Sequence, residues 1–464
     1  MGLENAIGIL KALLYFVITI FILVTVHEFG HFIAGRIFGM HVPVFSVGMG
    51  RRIFGWNKIN GLTAGPLKPE TEIQLGEHTD YRLSVLPIGG YAKIDGMIDE
   101  TQNEALPEEV QPWEFRAKPW WQKSIVISAG VIMNILLAWF IFGGRDYVYG
   151  DDAPKTTTIG YVQLRSVSQD LGVRPGDKIV AIENKPVHNW LQVDDAALRD
   201  YFGKDFSMTL ERSGQPYSVI YRSKDMGSIK DIPKKFGLDP VGLTPPKLDS
   251  VIPGNPAAIA GLKTGDSIIA VNGIAIADVN AMIDQISSHP NQPITIELQR
   301  GAQRLTLPVT PNSKGLIGVM PFSNYIGARE HINYGLSQSA KLGWQNLTSS
   351  TILTVATLSE VIQGRMAVGE AVGGPLKIAK LASQSASNGL DSFLLFLALL
   401  SMSLALLNIL PIPALDGGHL LIILIEAAIG RELSQRFKLG FQKVGIAILL
   451  FLMVFMVIND IRGL

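Results

Sequence analysis

Residues 7–31 read IGILKALLYFVITIFILVTVHEFGH, so the motif His27-Glu28-Phe29-Gly30-His31 ends a twenty-residue apolar stretch. A stretch of this length and composition predicts a helix that crosses a membrane. On that helix, His27 and His31 lie on one face, where both imidazoles can bind the same Zn²⁺ ion. Glu28 stands beside them and can act as the general base of a hydrolysis. One segment therefore predicts both a membrane fold and a zinc site.

The position of this motif strengthens its functional interpretation. The H-E-x-x-H pattern also arises by chance in sequences of ordinary composition. However, ionisable side chains are costly within hydrocarbon, and those found there are mostly functional. We therefore interpret Glu28 as a catalytic residue and the two histidines as metal ligands.

Composition places the whole chain in a membrane. The chain has 464 residues, of which 47% are hydrophobic, and its mean hydropathy is positive. This is too apolar for an ordinary soluble enzyme. We expect a multi-pass α-helical membrane protein with four transmembrane helices, centred on the apolar blocks Ile7–Val26, Ser124–Phe142, Phe393–Leu410 and Val444–Ile458. The first block lacks a small-x-small cleavage site, so we do not interpret it as a signal peptide.

Charge and cysteine usage exclude several classes of partner and site. The formal net charge is zero and no basic tract is present, so nucleic acid is not an expected partner. The chain contains no cysteine, which excludes thiolate zinc sites and disulfides. Any metal must therefore be bound by histidine and carboxylate. The expected surroundings are the lipid bilayer, and the expected state is a monomer.

An internal repeat lies between the second and third apolar blocks. Residues 171–184 read LGVRPGDKIVAIEN and residues 260–273 read AGLKTGDSIIAVNG, which match position by position. Both resemble the core of bacterial PDZ domains, although the first copy has Glu183-Asn184 where Asn-Gly is usual. The resemblance implies two tandem PDZ-like α/β domains at residues 148–238 and 239–325. They could act as size filters or as peptide binders.

Two short alternating runs follow the first span. Tyr81–Leu86 and Tyr91–Ile94 flank Pro87-Ile88-Gly89-Gly90, which predicts a small membrane-associated β-hairpin. An exposed strand edge of this kind can pair with an extended peptide segment. The candidate substrate-binding residues of this hairpin are Tyr81, Leu83, Val85, Gly89 and Gly90.

The third apolar block supplies a candidate for a third metal ligand. Catalytic zinc usually has three protein ligands, and the stretch from Asn408 to His419 reads NILPIPALDGGH. Its prolines break the helix and its glycines allow a sharp turn. The first and third spans would both run inward, which brings Asp416 to the depth of the histidine pair.

Basic residues near the span ends indicate the orientation. Lysine and arginine are concentrated after the first span, before the second and between the third and fourth, which predicts that these loops are cytoplasmic. Both termini and both PDZ-like copies would then be periplasmic in a bacterial inner membrane. Residues 336–363 have the pattern of an amphipathic helical pair on the membrane surface.

The H-E-F-G-H and N-x-x-P-x-P-x-L-D-G motifs, in this order, resemble those of the site-2 protease family of intramembrane zinc metalloproteases. The likeness is strongest to bacterial members that have paired PDZ domains and control the sigma-E stress response. It implies that His27, His31 and Asp416 bind Zn²⁺ and that Glu28 is the base. It also implies cleavage within the membrane segment of single-span substrates such as an anti-sigma factor, and possible action on remnant signal peptides.

Two asparagines match further positions of this family. Asn408 matches a residue that holds substrate near the metal, and Asn134 ends the motif Ala129-Gly130-Val131-Ile132-Met133-Asn134, in which valine replaces the usual proline. Both asparagines are candidate substrate-binding residues. Either could instead bridge neighbouring spans by a hydrogen bond.

The expected organisation, in chain order, is a first helix at residues 1–31, a hairpin region at 32–119, a second helix at 120–143, the two PDZ-like domains, an amphipathic linker at 326–391, a third helix at 392–412, a cytoplasmic turn and loop at 413–440, and a fourth helix at 441–459.

Two other functions are alternatives to a zinc protease. One is a membrane-anchored PDZ scaffold with a vestigial metal site, and the other is a zinc transporter or sensor. A vestigial site should lack a ligand or the base, and none is missing here.

Overall fold

The computed structural model describes residues 3–67, 78–97, 109–201, 203–227, 231–365, 369 and 373–463. The chain divides into two compact units. One comprises Met1–Gly150 and Asn333–Leu464, and is called the membrane unit below. The other comprises Asp151–Ile332 and is called the repeat unit.

Two long helices begin the membrane unit and pack against each other. They are α1 (Leu3–Ile37) and α2 (Trp120–Tyr149). At their closest approach, a Cβ added to Gly30 of α1 would lie 2.3 Å from the carbonyl oxygen of Ala129 in α2. Only glycine allows two helix backbones to come this close. This contact brings α2 directly alongside the H-E-x-x-H face of α1.

A curved sheet follows α1 and corrects the expected hairpin. Its strands are β1 (Val44–Asn57), β2 (Gly61–Ala64) and β3 (Asp80–Lys93), in the order β2-β1-β3. Residues 44–47 of β1 pair with 80–83 on one side and with 90–93 on the other. The two arms of β3 therefore do not pair with each other, and the prediction of a self-paired hairpin was wrong.

The physical reason is that the segment between the arms comes from earlier in the chain. Val44 and Phe45 are buried, and burying them favours insertion of this segment between the arms. The sheet is further fixed by a buried ion pair, in which Arg52 Nε donates to Asp80 Oδ2 at 3.0 Å.

The repeat unit contains two copies of one sequence of elements. In each copy a strand is followed by a short helix, a strand, a two-residue strand, a helix, a hairpin and a strand that pairs with the first. The first copy consists of β5 (Ile159–Val162), α3 (Val167–Asp170), β6 (Lys178–Ile182), β7 (Lys185–Pro186), α4 (Trp190–Asp195), β8 (Phe206–Arg212), β9 (Gln215–Tyr221) and β10 (Leu238–Pro240), with α5 (Ile232–Phe236) before its last strand. The second consists of β11 (Lys247–Val251), α6 (Pro256–Ile259), β12 (Ser267–Val271), β13 (Ile274–Ala275), α7 (Val279–Ser287), β14 (Ile294–Arg300), β15 (Gln303–Val309) and β16 (Val319–Phe322).

Each copy has its own hydrophobic core. A separate ribbon, β4 (Asp151–Pro154) paired with β17 (Arg329–Ile332), joins the two ends of the unit. The expected boundary between residues 238 and 239 falls inside β10, which pairs with β5 of the first copy. Pairing across 80 residues is not visible in the local pattern, and the boundary belongs after Pro240.

The turns of the two copies are equivalent despite their different residues. Asn272 and Gly273 have φ angles of 50° and 75°, and Glu183 and Asn184 have 48° and 60°. The first copy therefore makes the same left-handed turn without glycine. The residues that weakened the sequence match do not change the backbone.

Five helices complete the described part of the membrane unit. They are α8 (Leu336–Ile362), α9 (Pro375–Ser387), α10 (Leu390–Ile409), α11 (Asp416–Ile429) and α12 (Gln435–Gly463). The expected helical pair at 336–363 is a single helix of 27 residues. Its internal Gly343 packs closely on Gly143 of α2 rather than breaking the helix.

The stretch expected as a cytoplasmic turn and loop contains α11, an apolar helix of 14 residues. It is too short to cross a bilayer, and it packs on α2. Among the described residues, four helices are long and apolar enough to span a membrane: Ile7–Ile37, Trp120–Tyr149, Leu390–Ile409 and Gln435–Ile461. Their number agrees with the prediction of four transmembrane helices, and each has at least one end beyond the predicted one.

Candidate metal centre

Three side chains from distant parts of the chain meet inside the membrane unit. His27 Nε2 lies 3.1 Å from Asp416 Oδ2 and His31 Nε2 lies 3.5 Å from the same oxygen. The two Nε2 atoms are 3.2 Å apart. Among the described residues, this is the one group of His and acidic side chains close enough to hold a metal together.

The size of this triangle fits zinc. Ligand bonds of about 2.0–2.1 Å in a tetrahedral site place neighbouring ligand atoms roughly 3.3 Å apart. The three observed separations, 3.1, 3.2 and 3.5 Å, bracket this value. In addition, Asp416 Oδ2 is buried and has no hydrogen-bond partner. Such an orphaned oxygen is costly unless a cation lies beside it.

Local sequence explains how each ligand reaches this point. His27 and His31 are one helical turn apart on α1, so their rings project from the same face. Asp416 is the first residue of α11, just after the turn that contains Pro411 and Pro413. The backbone of Ala414 has a φ of 69°, and this left-handed residue reverses the chain between the end of α10 and the start of α11.

Helix α2 places a polar atom within hydrogen-bond distance of Nδ1 of each imidazole. His31 Nδ1 is 2.8 Å from the carbonyl oxygen of Val126, and His27 Nδ1 is 3.2 Å from the side-chain amide of Asn134. Between them, a Cβ added to Gly130 would lie 2.5 Å from His31 Nε2 and 2.6 Å from His27 Cε1. Any side chain at Gly130 would therefore displace the ligands.

Glu28 lies beside the same triangle and is held by the sheet. The backbone N–H of Ala92 donates to Glu28 Oε2 at 3.0 Å. Since Ala92 belongs to the arm that pairs with β1 on one side only, this hydrogen bond marks the opposite edge of the arm. Among the described residues no strand pairs with this side of the arm, so it is a free edge of β3, and it faces the candidate ligands.

A cavity of about 270 Å³ joins these features. Its lining includes the three candidate ligands, Glu28 and Asn408, together with Gly89, Gly90, Tyr91 and Ala92 of the free edge. Asn408 and the two glycines thus lie where the sequence analysis placed the substrate. Asn134 is fully buried and does not line the cavity.

The other three hairpin candidates are placed elsewhere. Tyr81 and Leu83 pair with β1 on both sides, so their backbones cannot accept another strand. The Tyr81 ring also contacts Phe32 and Trp56. Val85 is exposed but does not line the cavity. The structure moves the accessible edge from Tyr81–Val85 to residues 89–94.

A second cavity, of about 370 Å³, adjoins the first through shared lining residues Met97, Ala414 and His419. Its wall carries two ion pairs, Lys438 Nζ to Glu426 Oε1 at 2.7 Å and Lys123 Nζ to Glu432 Oε1 at 3.4 Å. The metal centre is therefore next to a polar, charge-lined space.

Sequence reasoning missed Val126, Gly130 and Ala92. Val126 and Ala92 act through backbone atoms, and the type of a residue does not reveal what its backbone contacts. Gly130 did have a signal, because it lies inside the motif that ends at Asn134. Val126, Gly130 and Asn134 are spaced by four residues, which places them on one stripe of α2 facing α1.

Comparison with known proteins extends this picture over almost the whole chain. Residues 15–64 and 67–452 match Peptidase family M50. A Vibrio cholerae protein whose name includes the words zinc metalloprotease is 31% identical over 97% of this chain and 98% of its own. The Regulator of sigma E protease of Haemophilus influenzae is 30% identical over 96% of this chain and 97% of its own length. Protease RseP of Yersinia pestis is 30% identical over 98% of this chain and 100% of its own.

These matches confirm the resemblance inferred from the motifs, the enzyme class and Zn²⁺ as the expected metal. They also agree with four apolar helices in the structure. The chain is a membrane protein and belongs to Peptidase family M50.

Proposed function

We propose that this protein is an intramembrane endopeptidase that hydrolyses a peptide bond within the transmembrane segment of single-span substrates. The observation that carries the proposal is one cavity that contains the ligand triangle, Glu28 and a free strand edge. A hydrolytic centre and a means of holding an extended peptide are thus combined within apolar helices.

His27, His31 and Asp416 would hold the metal. When bound, Zn²⁺ supplies Lewis acidity, which polarises a carbonyl group and lowers the pKa of water. Glu28 takes a proton from the attacking water on its free carboxylate oxygen and returns it to the leaving amine nitrogen. The hydrogen bond from Ala92 to Oε2 fixes the carboxylate during both transfers.

The free edge of β3 would receive the unwound substrate. A helix opened inside a membrane exposes backbone groups that no water can satisfy, each at a cost of several kcal/mol. The outward-facing backbone groups of Gly90, and the carbonyl oxygen of Ala92, whose N–H is held by Glu28, can pair with such a segment by β-augmentation. Asn408 lines the same cavity and can donate to a substrate carbonyl.

Water would enter from the charge-lined cavity. The residues of its ion pairs belong to, or flank, the loops that the distribution of lysine and arginine predicts to be cytoplasmic. The same orientation places both termini and the repeat unit in the periplasm of a bacterial inner membrane. There the two copies would serve as PDZ-like filters that exclude large intact domains.

The name of one relative supports the proposed substrate class. It is called Regulator of sigma E protease, so an anti-sigma factor with a single membrane span is the proposed natural substrate. Remnant signal peptides also contain one apolar segment, and are proposed as a second group.

The central test uses purified protein in detergent with tagged single-span peptides. Wild type should cleave within the apolar segment, and a zinc chelator should stop cleavage. Glu28→Gln should retain zinc, since Glu28 is not a ligand, but lose activity by about 10²–10⁴-fold, as expected for removal of a general base. Full activity of Glu28→Gln would refute the assigned base. Wild type that binds zinc but cleaves no peptide would favour the membrane-anchored scaffold.

The free edge can be tested by disulfide crosslinking, because the chain has no cysteine of its own. Tyr91→Cys, on the edge, should crosslink to a substrate with a cysteine near its cleavage site. Val85→Cys is the matched control, since Val85 is 54% exposed but lies outside the cavity. Equal crosslinking at both positions would count against strand pairing at this edge.

A further inference from the structure

The side chain of Asn134 is the most completely buried polar group next to the metal centre. Its exposed fraction is 0%, and its amide Nδ2 is placed 3.2 Å from His27 Nδ1. The other amide atom, Oδ1, is buried without a hydrogen-bond partner. No substrate can reach a side chain in this position, so a substrate-binding role does not fit Asn134.

The protonation of His27 decides which amide atom faces it. To bind a metal through Nε2, the neutral imidazole must carry its hydrogen on Nδ1. An Nδ1–H group needs an acceptor, and the amide NH₂ group is a donor. The two ends of a carboxamide are nearly equal in size, and hydrogen bonding decides between them. Turning the amide by half a rotation places Oδ1 against the Nδ1–H of His27.

The second imidazole shows the same arrangement with a backbone group. His31 Nδ1 is 2.8 Å from the carbonyl oxygen of Val126, and a carbonyl can only accept. His31 must therefore carry its hydrogen on Nδ1 and leave Nε2 for the metal. Helix α2 thus presents one acceptor to each ligand, at two positions eight residues apart.

Asn134 is itself held firmly. Ser401 Oγ of α10 donates to the Asn134 backbone oxygen at 2.8 Å, in addition to the helical hydrogen bonds of α2. The side chain therefore starts from a fixed point, between the α1 and α10 helices. A rigid acceptor of this kind fixes both the tautomer and the ring orientation of a ligating histidine.

We propose that Asn134 is a positioning residue that accepts the Nδ1–H hydrogen bond of His27 through Oδ1 and so directs His27 Nε2 at the metal. This inference rests on the proposed metal site and deepens it. It assigns to Asn134 a role toward a ligand rather than toward the substrate.

The test measures zinc affinity by competition with a chelator, and the visible spectrum of the cobalt-substituted protein, in full-length chains. Asn134→Leu removes the acceptor and should weaken zinc binding about 10–100-fold, with an altered cobalt spectrum. Asn134→Asp keeps an acceptor and cannot donate when ionised, so it should restore both properties. Thr19→Val is the matched control: it also replaces a fully buried polar side chain, whose hydroxyl donates to the Tyr15 carbonyl oxygen, and it should leave zinc affinity and spectrum unchanged.

Two results would overturn the inference. One is Asn134→Leu with wild-type zinc affinity and spectrum. The other is Asn134→Asp as impaired as Asn134→Leu, which would mean that the amide donates to His27. Should Asn134→Leu not fold, the tautomer can be read from ¹⁵N shifts of labelled histidine in the zinc-loaded wild type, where hydrogen on Nε2 of His27 would refute the inference. Wild type that binds no zinc would instead contradict the proposed function.

Discussion

Buried carboxylates occur in both units of this protein, and their surroundings differ in a way that separates stability from function. In the repeat unit, Asp177 and Asp266 follow the glycine of equivalent turns. Arg212 Nε donates to Asp177 at 2.7 Å and Arg300 Nε donates to Asp266 at 2.7 Å. Each carboxylate also accepts a backbone N–H. All of their partners are hydrogen-bond donors, and each carboxylate oxygen of the two residues accepts at least one hydrogen bond.

In the membrane unit, Asp416 is surrounded differently. Its neighbours are two imidazole nitrogens, which can themselves act as acceptors, and its Oδ2 has no hydrogen bond. A folded chain rarely leaves a buried oxygen in this condition. Three acceptor atoms that converge without donors between them indicate a cation, whereas a carboxylate satisfied by arginine indicates a structural turn. The comparison gives opposite predictions for removal of the carboxylate charge at the two kinds of site.

The largest effect is expected at the metal centre. Asp416→Ala removes one of three ligands, so zinc content and peptide cleavage should both be lost. The fold should persist, because the replaced oxygen made no hydrogen bond. Zinc analysis, cleavage of a single-span peptide and a thermal unfolding curve measure the three outcomes. Unchanged zinc content in this variant would mean that the third ligand lies elsewhere.

A smaller loss of zinc affinity is expected when a side chain is added to α2 next to the two imidazoles. Gly130→Ala places a Cβ 2.5–2.8 Å from both imidazoles, and overpacking of this kind costs about 1–3 kcal/mol. Zinc affinity should therefore fall about 10–100-fold. Gly144→Ala is the matched control on the same helix, since a Cβ there would meet nothing within 4 Å. Equal zinc affinity in the two variants would show that the close approach of α2 does not matter.

In the repeat unit the corresponding substitution should affect stability alone. Asp266→Asn keeps the shape of the side chain but removes the charge that pairs with Arg300, and hydrogen bonds to charged groups contribute about 1.5–3 kcal/mol. Unfolding of the repeat unit should be easier by about this amount, with zinc content unchanged. Limited proteolysis in urea, with cleavage sites mapped to residues 151–332, reports this unit specifically. Loss of zinc in Asp266→Asn would break the distinction between the two kinds of carboxylate.

The sequence predicted the parts of this molecule that depend on residue identity and helical period. The four apolar helices and the convergence of His27, His31 and Asp416 needed only apolar run lengths, an i, i+4 histidine pair and a carboxylate after a proline turn. The roles of these three residues as ligands and of Glu28 as base stay predictions. Contacts through the backbone could not be predicted in this way. The insertion of residues 44–47 between the arms of β3, and the Ala92 N–H that reaches Glu28, depend on pairing between distant segments. The role of Asn134 likewise depends on a neighbour 107 residues away.

The smallest effect expected concerns a third kind of carboxylate, which is only partly buried and has acidic neighbours. Burial, together with repulsion from Asp195 and Asp239, raises the pKa of Asp194 to about 7. Burial, with repulsion from Asp278 and Asp284 opposed by Asn280, raises the pKa of Asp239 to about 6. Burial alone would raise the pKa of Asp266 as well, but its hydrogen bonds from Arg300 and the Lys263 N–H outweigh burial and lower it. The contribution of Asp266 to stability is therefore constant above pH 5.

The sign of the pH dependence follows from proton binding. The folded repeat unit binds protons at Asp194 and Asp239 more tightly than the unfolded chain, whose aspartates titrate near pH 4. The stability that these groups contribute is complete below pH 4 and is lost as the pH rises through 6 to 7. The repeat unit should thus resist proteolysis in urea better at pH 5.5 than at pH 8. Asp194→Asn is neutral at every pH, so this variant should be more stable than wild type at pH 8. The difference in stability between pH 5.5 and pH 8 should also be smaller than in wild type. An unchanged pH dependence would mean that Asp194 is ionised in the folded unit, as Asp177 and Asp266 are.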